Sequence, residues 1–255
     1  MALAAGIALV MLLYWPAVMV TLEGGERFTV ETGIGETRTL TLPDGTVISA
    51  GGETLLVATL LEHSRSVVLT RGEAYFHVVR DLARPFAVHA GNTTITDVGT
   101  AFDVRRTLGG VVVAVAEGVV RVAESASAGR SRAEVHSPDA TDTLSPGAVQ
   151  LTAGERLTLA PFDAAPRLTS VSPKWVAGWR EGRLQYVDEP LAGVVADLVR
   201  YSTRKIEVGD PAVGKLRVTG VVFLQNVDGW LASLQASFPV RVVTGADGSV
   251  TILQR

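Results

Sequence analysis

The chain has 255 residues, a formal net charge of −3 and no cysteine. Without cysteine there is no disulfide framework, zinc–thiolate site or iron–sulfur cluster, and a slightly acidic balance lacks the basic footprint that phosphate binding leaves on a nucleic-acid-binding protein. The length suffices for one large core or two modest ones.

Residues 1–22 carry no charged side chain and are dominated by Ala, Leu, Ile, Val and Met. As a helix they would span about 33 Å, enough for a bilayer core, so a transmembrane helix is predicted over 1–22. Pro16 is tolerated in such a helix, and Tyr14 and Trp15 suit an interface. A cleaved signal peptide would want a basic start and a small-x-small site, which the sequence does not offer. The apolar run opens directly at Met1, so a cytoplasmic segment ahead of it is expected to be missing from this chain.

From 26 to 160 the pattern is strand after strand, in short apolar or alternating runs separated by Gly-bearing turns. Residues Thr37 to Leu42 alternate, Pro43-Asp44-Gly45 is turn chemistry, and Thr46 to Ser49 resume, which predicts a hairpin. The same strand-Gly-strand grammar recurs over 67–78, 111–122 and 149–159. An all-β domain follows, a sandwich or a solenoid-like stack. Glu124 to Thr143 has no apolar face and reads as an exposed excursion.

Residues 161–182 read as a linker, rich in proline at first and then bearing Trp175 and Trp179. A small α+β module is predicted over 183–255. Arg183 to Val187 is a strand, and Asp188-Glu189-Pro190 opens a helix with acidic residues at its positive end. Leu191, Val194, Val195, Leu198 and Val199 form that helix's apolar stripe. Lys205 to Val208 and Leu216 to Phe223 are strands. An Asn226-capped helix presents Val227, Leu231, Leu234 and Phe238, and strands over 240–244 and 249–253 flank a Gly-bearing turn.

Five stretches occur in order: Leu42-Pro-Asp-Gly-Thr-Val47, Arg71-Gly-Glu-Ala-Tyr-Phe-His-Val78, Arg84-Pro-Phe-Ala-Val88, Asp97-Val-Gly-Thr-Ala-Phe-Asp-Val104 and Glu117-Gly-Val-Val-Arg-Val122. With them the soluble region resembles the FecR family of anti-sigma regulators of the Gram-negative inner membrane. Trp179 to Val187, Pro190-Leu191 and Arg200-Tyr201 look like the continuation into a C-terminal module similar to the short N-terminal domain of secretins and TonB-dependent receptors. The resemblance implies a single-pass inner-membrane protein whose periplasmic region receives a signal from the periplasmic domain of a TonB-dependent receptor. It would control an extracytoplasmic-function sigma factor, through the cytoplasmic segment expected to be missing here, for iron or siderophore uptake genes. Some members cleave themselves within Gly-Thr-x-Phe, which would be between Gly99 and Thr100. A threonine hydroxyl can attack the preceding carbonyl, exchanging amide for ester, and glycine permits the distortion this requires. The plain alternative is a turn glycine followed by a strand threonine.

The other motifs carry less chemistry. His63, His77, His89 and His136 lack metal-capture spacing, so no metal or cofactor is expected, and His77 and His89 are read as lying on polar strand faces. Gly33-x-Gly35 lacks the strand and helix of a dinucleotide fingerprint, and Asn92-Thr-Thr94 is a chance sequon. Arg71, Arg80, Arg84, Arg105 and Arg106 read as a solvated strand face, since only three of the 23 basic residues are lysines. Leu216, Val218, Val221 and Phe223 mark a strand that a partner strand could extend, or one that is internal and contributes core. A membrane-displayed carbohydrate- or ligand-binding β domain is the competing function, with aromatics at only 6%. No catalytic constellation is evident, so no enzyme is expected apart from self-cleavage.

Overall fold

The computed structural model describes residues 20–22, 25–97, 99–124, 148–159 and 165–255. Residues 1–19 of the predicted membrane helix and the excursion over 125–143 lie outside the described residues. Val20–Leu22, the end of that predicted span, is not helical but a strand, β1, paired antiparallel with β2 (Gly25–Glu31) so that Thr21 opposes Glu26. Val20 and Thr21 are β-branched, which favours extended backbone. Among the described residues no helix is long and apolar enough to cross a membrane.

The N-terminal domain is a two-sheet sandwich. Its further strands are β3 (Arg38–Thr41), β4 (Val47–Ala50), β5 (Leu55–Leu61), β6 (Arg65–Arg71), β7 (Glu73–His77), β8 (Phe86–Ala90), β9 (Thr93–Asp97) and β10 (Ala101–Arg106). They continue with β11 (Val111–Glu117), β12 (Val119–Glu124), β13 (Val149–Thr152), β14 (Glu155–Leu159) and β15 (Arg167–Ser170). One sheet has the order β1-β2-β5-β6-β8-β9-β12-β13, the other β15-β14-β11-β10-β7-β4-β3. All neighbours are antiparallel except β6 and β8, which run parallel.

The predicted hairpin at Pro43-Asp44-Gly45 forms, with Leu40 opposite Ile48. The other three strand-Gly-strand units are not hairpins. At Gly72, Gly118 and Gly154 the chain passes from one sheet to the other, and all three glycines have positive φ. Such a corner turns the backbone through the sandwich edge without a loop, and it yields the short strands that sequence alone leaves open to a solenoid reading.

Alternate residues of each strand point between the sheets and close a core that includes Phe76, Phe86 and Phe102, all fully buried. Phe76 stacks on Phe102 at 5.1 Å between centroids and tilts against Phe86 at 5.9 Å. Beside them Arg65, itself 1% exposed, donates to Asp44 at 2.7 Å, to the Val79 carbonyl at 2.9 Å and to the Arg84 carbonyl at 2.8 Å. Asp44 also accepts from the amide and hydroxyl of Thr46, at 3.0 and 2.9 Å. The Pro-Asp-Gly-Thr turn is thus pinned to the interior by one guanidinium.

The stretch read as a linker, 161–182, is largely built into the fold. Its residues 167–170 are β15, hydrogen-bonded to β14, and two short 3₁₀ turns follow, the second burying Trp179. The second module contains β16 (Arg183–Pro190), α1 (Leu191–Leu198), β17 (Ile206–Val208), the short α2 (Pro211–Gly214), β18 (Arg217–Phe223), α3 (Val227–Ser237), β19 (Val240–Thr244) and β20 (Val250–Gln254). A two-stranded sheet, β16-β18, and a three-stranded one, β17-β20-β19, pack on the helices.

Helix α1 starts later than predicted: Asp188 and Glu189 belong to β16, and Pro190 occupies the N-cap position. Glu189 ends β16 just before the N-cap position, with Oε1 3.2 Å from where a Cβ at Gly193 in the first turn would stand, and it is buried at the domain boundary. The apolar stripe of α1 is buried as predicted at Leu191, Val194, Val195 and Leu198. Asn226 caps α3, accepting from the Gly229 amide at 3.2 Å.

Candidate functional site

Three places hold chemistry. The first is the corner between β9 and β10, where the chain leaves one sheet for the other. Gly99 has φ +144°, and a Cβ there would lie 2.5 Å from Arg80 Cβ and 2.8 Å from Arg80 Cα, so both its conformation and its surroundings require glycine. Its amide donates to Asp97 Oδ1 at 2.8 Å. Thr100 follows, its carbonyl accepting from the Val78 amide at 2.9 Å. Its hydroxyl is buried with no hydrogen-bond partner among the described residues, and so is the second oxygen of Asp97. Opposite them Gly118 stands so close that a Cβ would meet the Thr100 methyl at 2.5 Å. Gly99 and Thr100 therefore occupy a tight, dry corner in which two polar oxygens lack partners, an arrangement that costs free energy and is concentrated at functional positions.

The second place is the boundary between the modules. Trp179 Nε1 donates to Asp103 Oδ1 at 3.0 Å. Arg105 donates to Asp197 of α1 and lies 3.7 Å from Glu189. Arg200 donates to Asp197 at 2.8 Å and approaches Glu73 at 3.5 Å, and the Tyr201 hydroxyl donates to Glu73 at 3.2 Å. Backbone meets backbone where the Gly35 amide donates to the Arg200 carbonyl at 2.8 Å. At Gly52 a Cβ would stand 2.1 Å from that carbonyl oxygen, and at Gly51 one would stand 2.3 Å from the Tyr201 hydroxyl.

Glu73, Asp103, Glu189 and Asp197 lie in this boundary with Arg105, Arg156 and Arg200, and burial shifts several of their protonation equilibria. Burial, reinforced by the neighbouring Glu73 charge, pushes the Asp103 carboxyl well above the usual carboxylate range. Burial also raises Glu189, against the pull of Arg105. For Arg105 burial favours the neutral form, but the Asp197 and Glu73 carboxylates outweigh it and hold the guanidinium charged.

Arg105 overturns the solvated reading of the arginine set. It is 8% exposed and belongs to this boundary, whereas Arg71 reaches the exposed Glu31 and Arg84 pairs with Asp81 on the surface. Arg105 differs because the second module covers the end of its strand. Sequence reasoning also missed Glu73, Asp103, Asp197 and the Gly51-Gly52 pair. The available signal was a set of acidic residues inside otherwise apolar strand and helix patterns.

The third place is β18. Among the described residues its sole ladder partner is β16, leaving the other edge unpaired. Val218 is core at 5% exposed, Leu216 and Val221 are partly buried, and Phe223 is 45% exposed. The four predicted contact residues are thereby divided between core and surface. Among the described residues no group of His, Asp or Glu could hold a metal. His77 is exposed and His89 half-buried on their strands, with His89 Nδ1 3.2 Å from the Thr94 hydroxyl, while His136 lies outside the described residues.

Fold and sites together define a two-sheet β domain joined through a buried charged boundary to a small α+β module. Residues 28–121 match the family model described as FecR protein. Two crystal structures of a "putative anti-sigma factor" from Parabacteroides distasonis ATCC 8503 share the fold at TM-score 0.74 and 21% identity. They cover 90% and 89% of this chain, and 99% of their own chains are covered in return. No curated protein matches the chain.

Proposed function

We propose that the protein is an anti-sigma-type signalling regulator, held in the inner membrane by its apolar N-terminal residues with the described region in the periplasm. Its FecR domain and C-terminal module receive a signal from the periplasmic domain of a TonB-dependent outer-membrane receptor. The output is control of an extracytoplasmic-function sigma factor serving iron or siderophore uptake genes. The observation that carries this reading is the FecR-family match over residues 28–121, followed by an α+β module in which, among the described residues, a strand edge is unpaired beside an exposed phenylalanine. Similarity in fold to a protein described as an anti-sigma factor points the same way. A backbone edge gives affinity through main-chain hydrogen bonds, and Phe223 supplies an aromatic anchor.

Binding of the purified region to isolated receptor signalling domains tests this. Saturable binding that Phe223→Asp weakens at least tenfold, with an unchanged melting temperature, supports it. Saturable sugar binding with no receptor partner supports the carbohydrate-binding alternative. Against that alternative, the central aromatics Phe76, Phe86, Phe102 and Trp179 are all buried, and among the described residues Trp175 and Phe223 are the exposed large aromatics.

Self-cleavage between Gly99 and Thr100 belongs to the same reading. It is supported by the left-handed glycine and the partnerless buried hydroxyl next to it. Full-length wild type is expected to run as two fragments on a denaturing gel, and Thr100→Ala as one.

A further inference from the structure

The β9–β10 corner contains a group that a simple turn does not explain. Asp97 is 1% exposed, and its Oδ1 accepts the Gly99 amide at 2.8 Å, closing a turn across the corner. One acceptor oxygen would suffice for that turn, and asparagine would provide it. Among the described residues, Oδ2 is nevertheless buried with no donor, and three residues on the Thr100 hydroxyl, in a residue 7% exposed, is buried with no acceptor. Leaving an acceptor and a donor both unmade in one dry corner costs about 1–3 kcal/mol for each group.

The orientation of Thr100 is restricted. Its carbonyl is fixed to Val78, and its methyl occupies the space that a side chain at Gly118 would fill. The Gly99 carbonyl oxygen lies 3.4 Å from that same point, so Gly118 lies against both sides of the bond.

We infer that Asp97 is the general base for scission at Gly99–Thr100: Oδ1 holds Gly99 in its left-handed conformation, and Oδ2, which is not hydrogen-bonded to the Thr100 hydroxyl in the structure, receives its proton as the two close up in the attack. This rests on the self-cleavage reading above. As the hydroxyl oxygen bonds to the Gly99 carbonyl carbon, its proton passes to the Asp97 carboxylate. The carbon–nitrogen bond then breaks, the electron pair stays on the Thr100 nitrogen, and that nitrogen takes the proton back from Asp97. The product is an ester between Gly99 and the Thr100 side chain. Water adds to the ester, releasing Gly99 with a free carboxylate and Thr100 with a free amine and its hydroxyl restored.

The test uses the full chain made by cell-free synthesis, with samples quenched at intervals onto a denaturing gel. Asp97→Asn keeps the oxygen that anchors Gly99 and replaces the proton acceptor by a donor. It is expected to melt like wild type and to cleave at least 100-fold more slowly, the lower end of what a positioned proton-transfer group contributes. Hydroxylamine, which opens the ester but does not promote its formation, is expected to leave the Asp97→Asn rate unchanged. Asp97→Glu, which retains a carboxylate, is expected to cleave faster than Asp97→Asn and covers the case in which the asparagine variant does not fold. Equal rates for wild type and Asp97→Asn, or an Asp97→Glu no faster than the asparagine variant, overturn the role of Asp97 while self-cleavage stands. A wild-type chain that stays intact even with hydroxylamine overturns self-cleavage, and this role with it.

Discussion

The indole N–H of Trp179 donates to Asp103 at 3.0 Å across 76 residues of chain, joining the start of the second module to the middle of a sandwich strand. Asp103 lies on β10, paired with Tyr75 on β7, and next to it on that sheet are Glu73 and Arg105. A tryptophan that looks like part of a linker is therefore a direct polar tie between the two cores. Trp179→Phe keeps most of the buried ring and removes the donor, leaving a buried carboxyl oxygen unpaired. A loss of about 2 kcal/mol in unfolding free energy is expected, read from urea denaturation. An unchanged midpoint would mean that the indole contributes packing alone.

Protonation of the same carboxyl gives a pH signature. The folded-state value of Asp103 lies above its unfolded one, so the folded protein binds the extra proton. The stability that Asp103 contributes is full below the unfolded value of about 3.9 and is lost as pH rises through the folded value. Glu189 acts in the same direction. Asp103→Asn keeps an oxygen for Trp179 and stays neutral throughout. Its stability relative to wild type is expected to rise between pH 4 and pH 7.5, measured as the difference in urea midpoints. A difference that is flat with pH would assign the wild-type pH dependence to other groups.

The Arg105–Asp197 pair is expected to be strongly coupled. Removing one partner of a buried ion pair costs about 3–5 kcal/mol because the other is left charged and dry. Arg105→Met leaves Asp197 with Arg200 alone, and Asp197→Leu strands both arginines against Glu73 and Glu189. The double variant is expected to lose less than the sum of the single losses, by at least 1 kcal/mol in a double-mutant cycle. Additive losses would mean that the pair contributes no net attraction across the boundary.

How much of this could be read in the sequence depends on the range of the forces involved. Strand alternation, the Pro43-Asp44-Gly45 hairpin and the apolar stripe of α1 are set by neighbours within a few residues, and all three are visible in the text. The corners at Gly72, Gly118 and Gly154 use the same local letters as a hairpin, and the choice of sheet is made by packing with distant strands. The module boundary was hidden for a related reason. Glu73, Asp103 and Arg105 look like outward-facing strand residues until another domain, encoded about a hundred positions later, covers them. Val218 and Phe223 show the same limit, because alternation says they differ in facing but not which of them meets the core.

The sheet order also predicts what a cut at Gly99–Thr100 would leave. Residues up to 99 supply β1-β2-β5-β6-β8-β9 of one sheet and β7-β4-β3 of the other, and residues from 100 supply β12-β13 and β15-β14-β11-β10. The two pieces meet along the ladder of β9 with β12 and that of β10 with β7, five residue pairs each. Between the sheets they share one core, in which Phe76 and Phe86 of the first piece pack with Phe102 of the second. Glu73 of the first piece meanwhile holds Arg200 and Tyr201 of the second. Neither piece alone can bury its apolar strand faces, so residues 1–99 and 100–255 expressed together are expected to co-purify and to melt in one cooperative transition. Separation of the two on a sizing column under native conditions would mean that the covalent link is required to hold the sandwich closed.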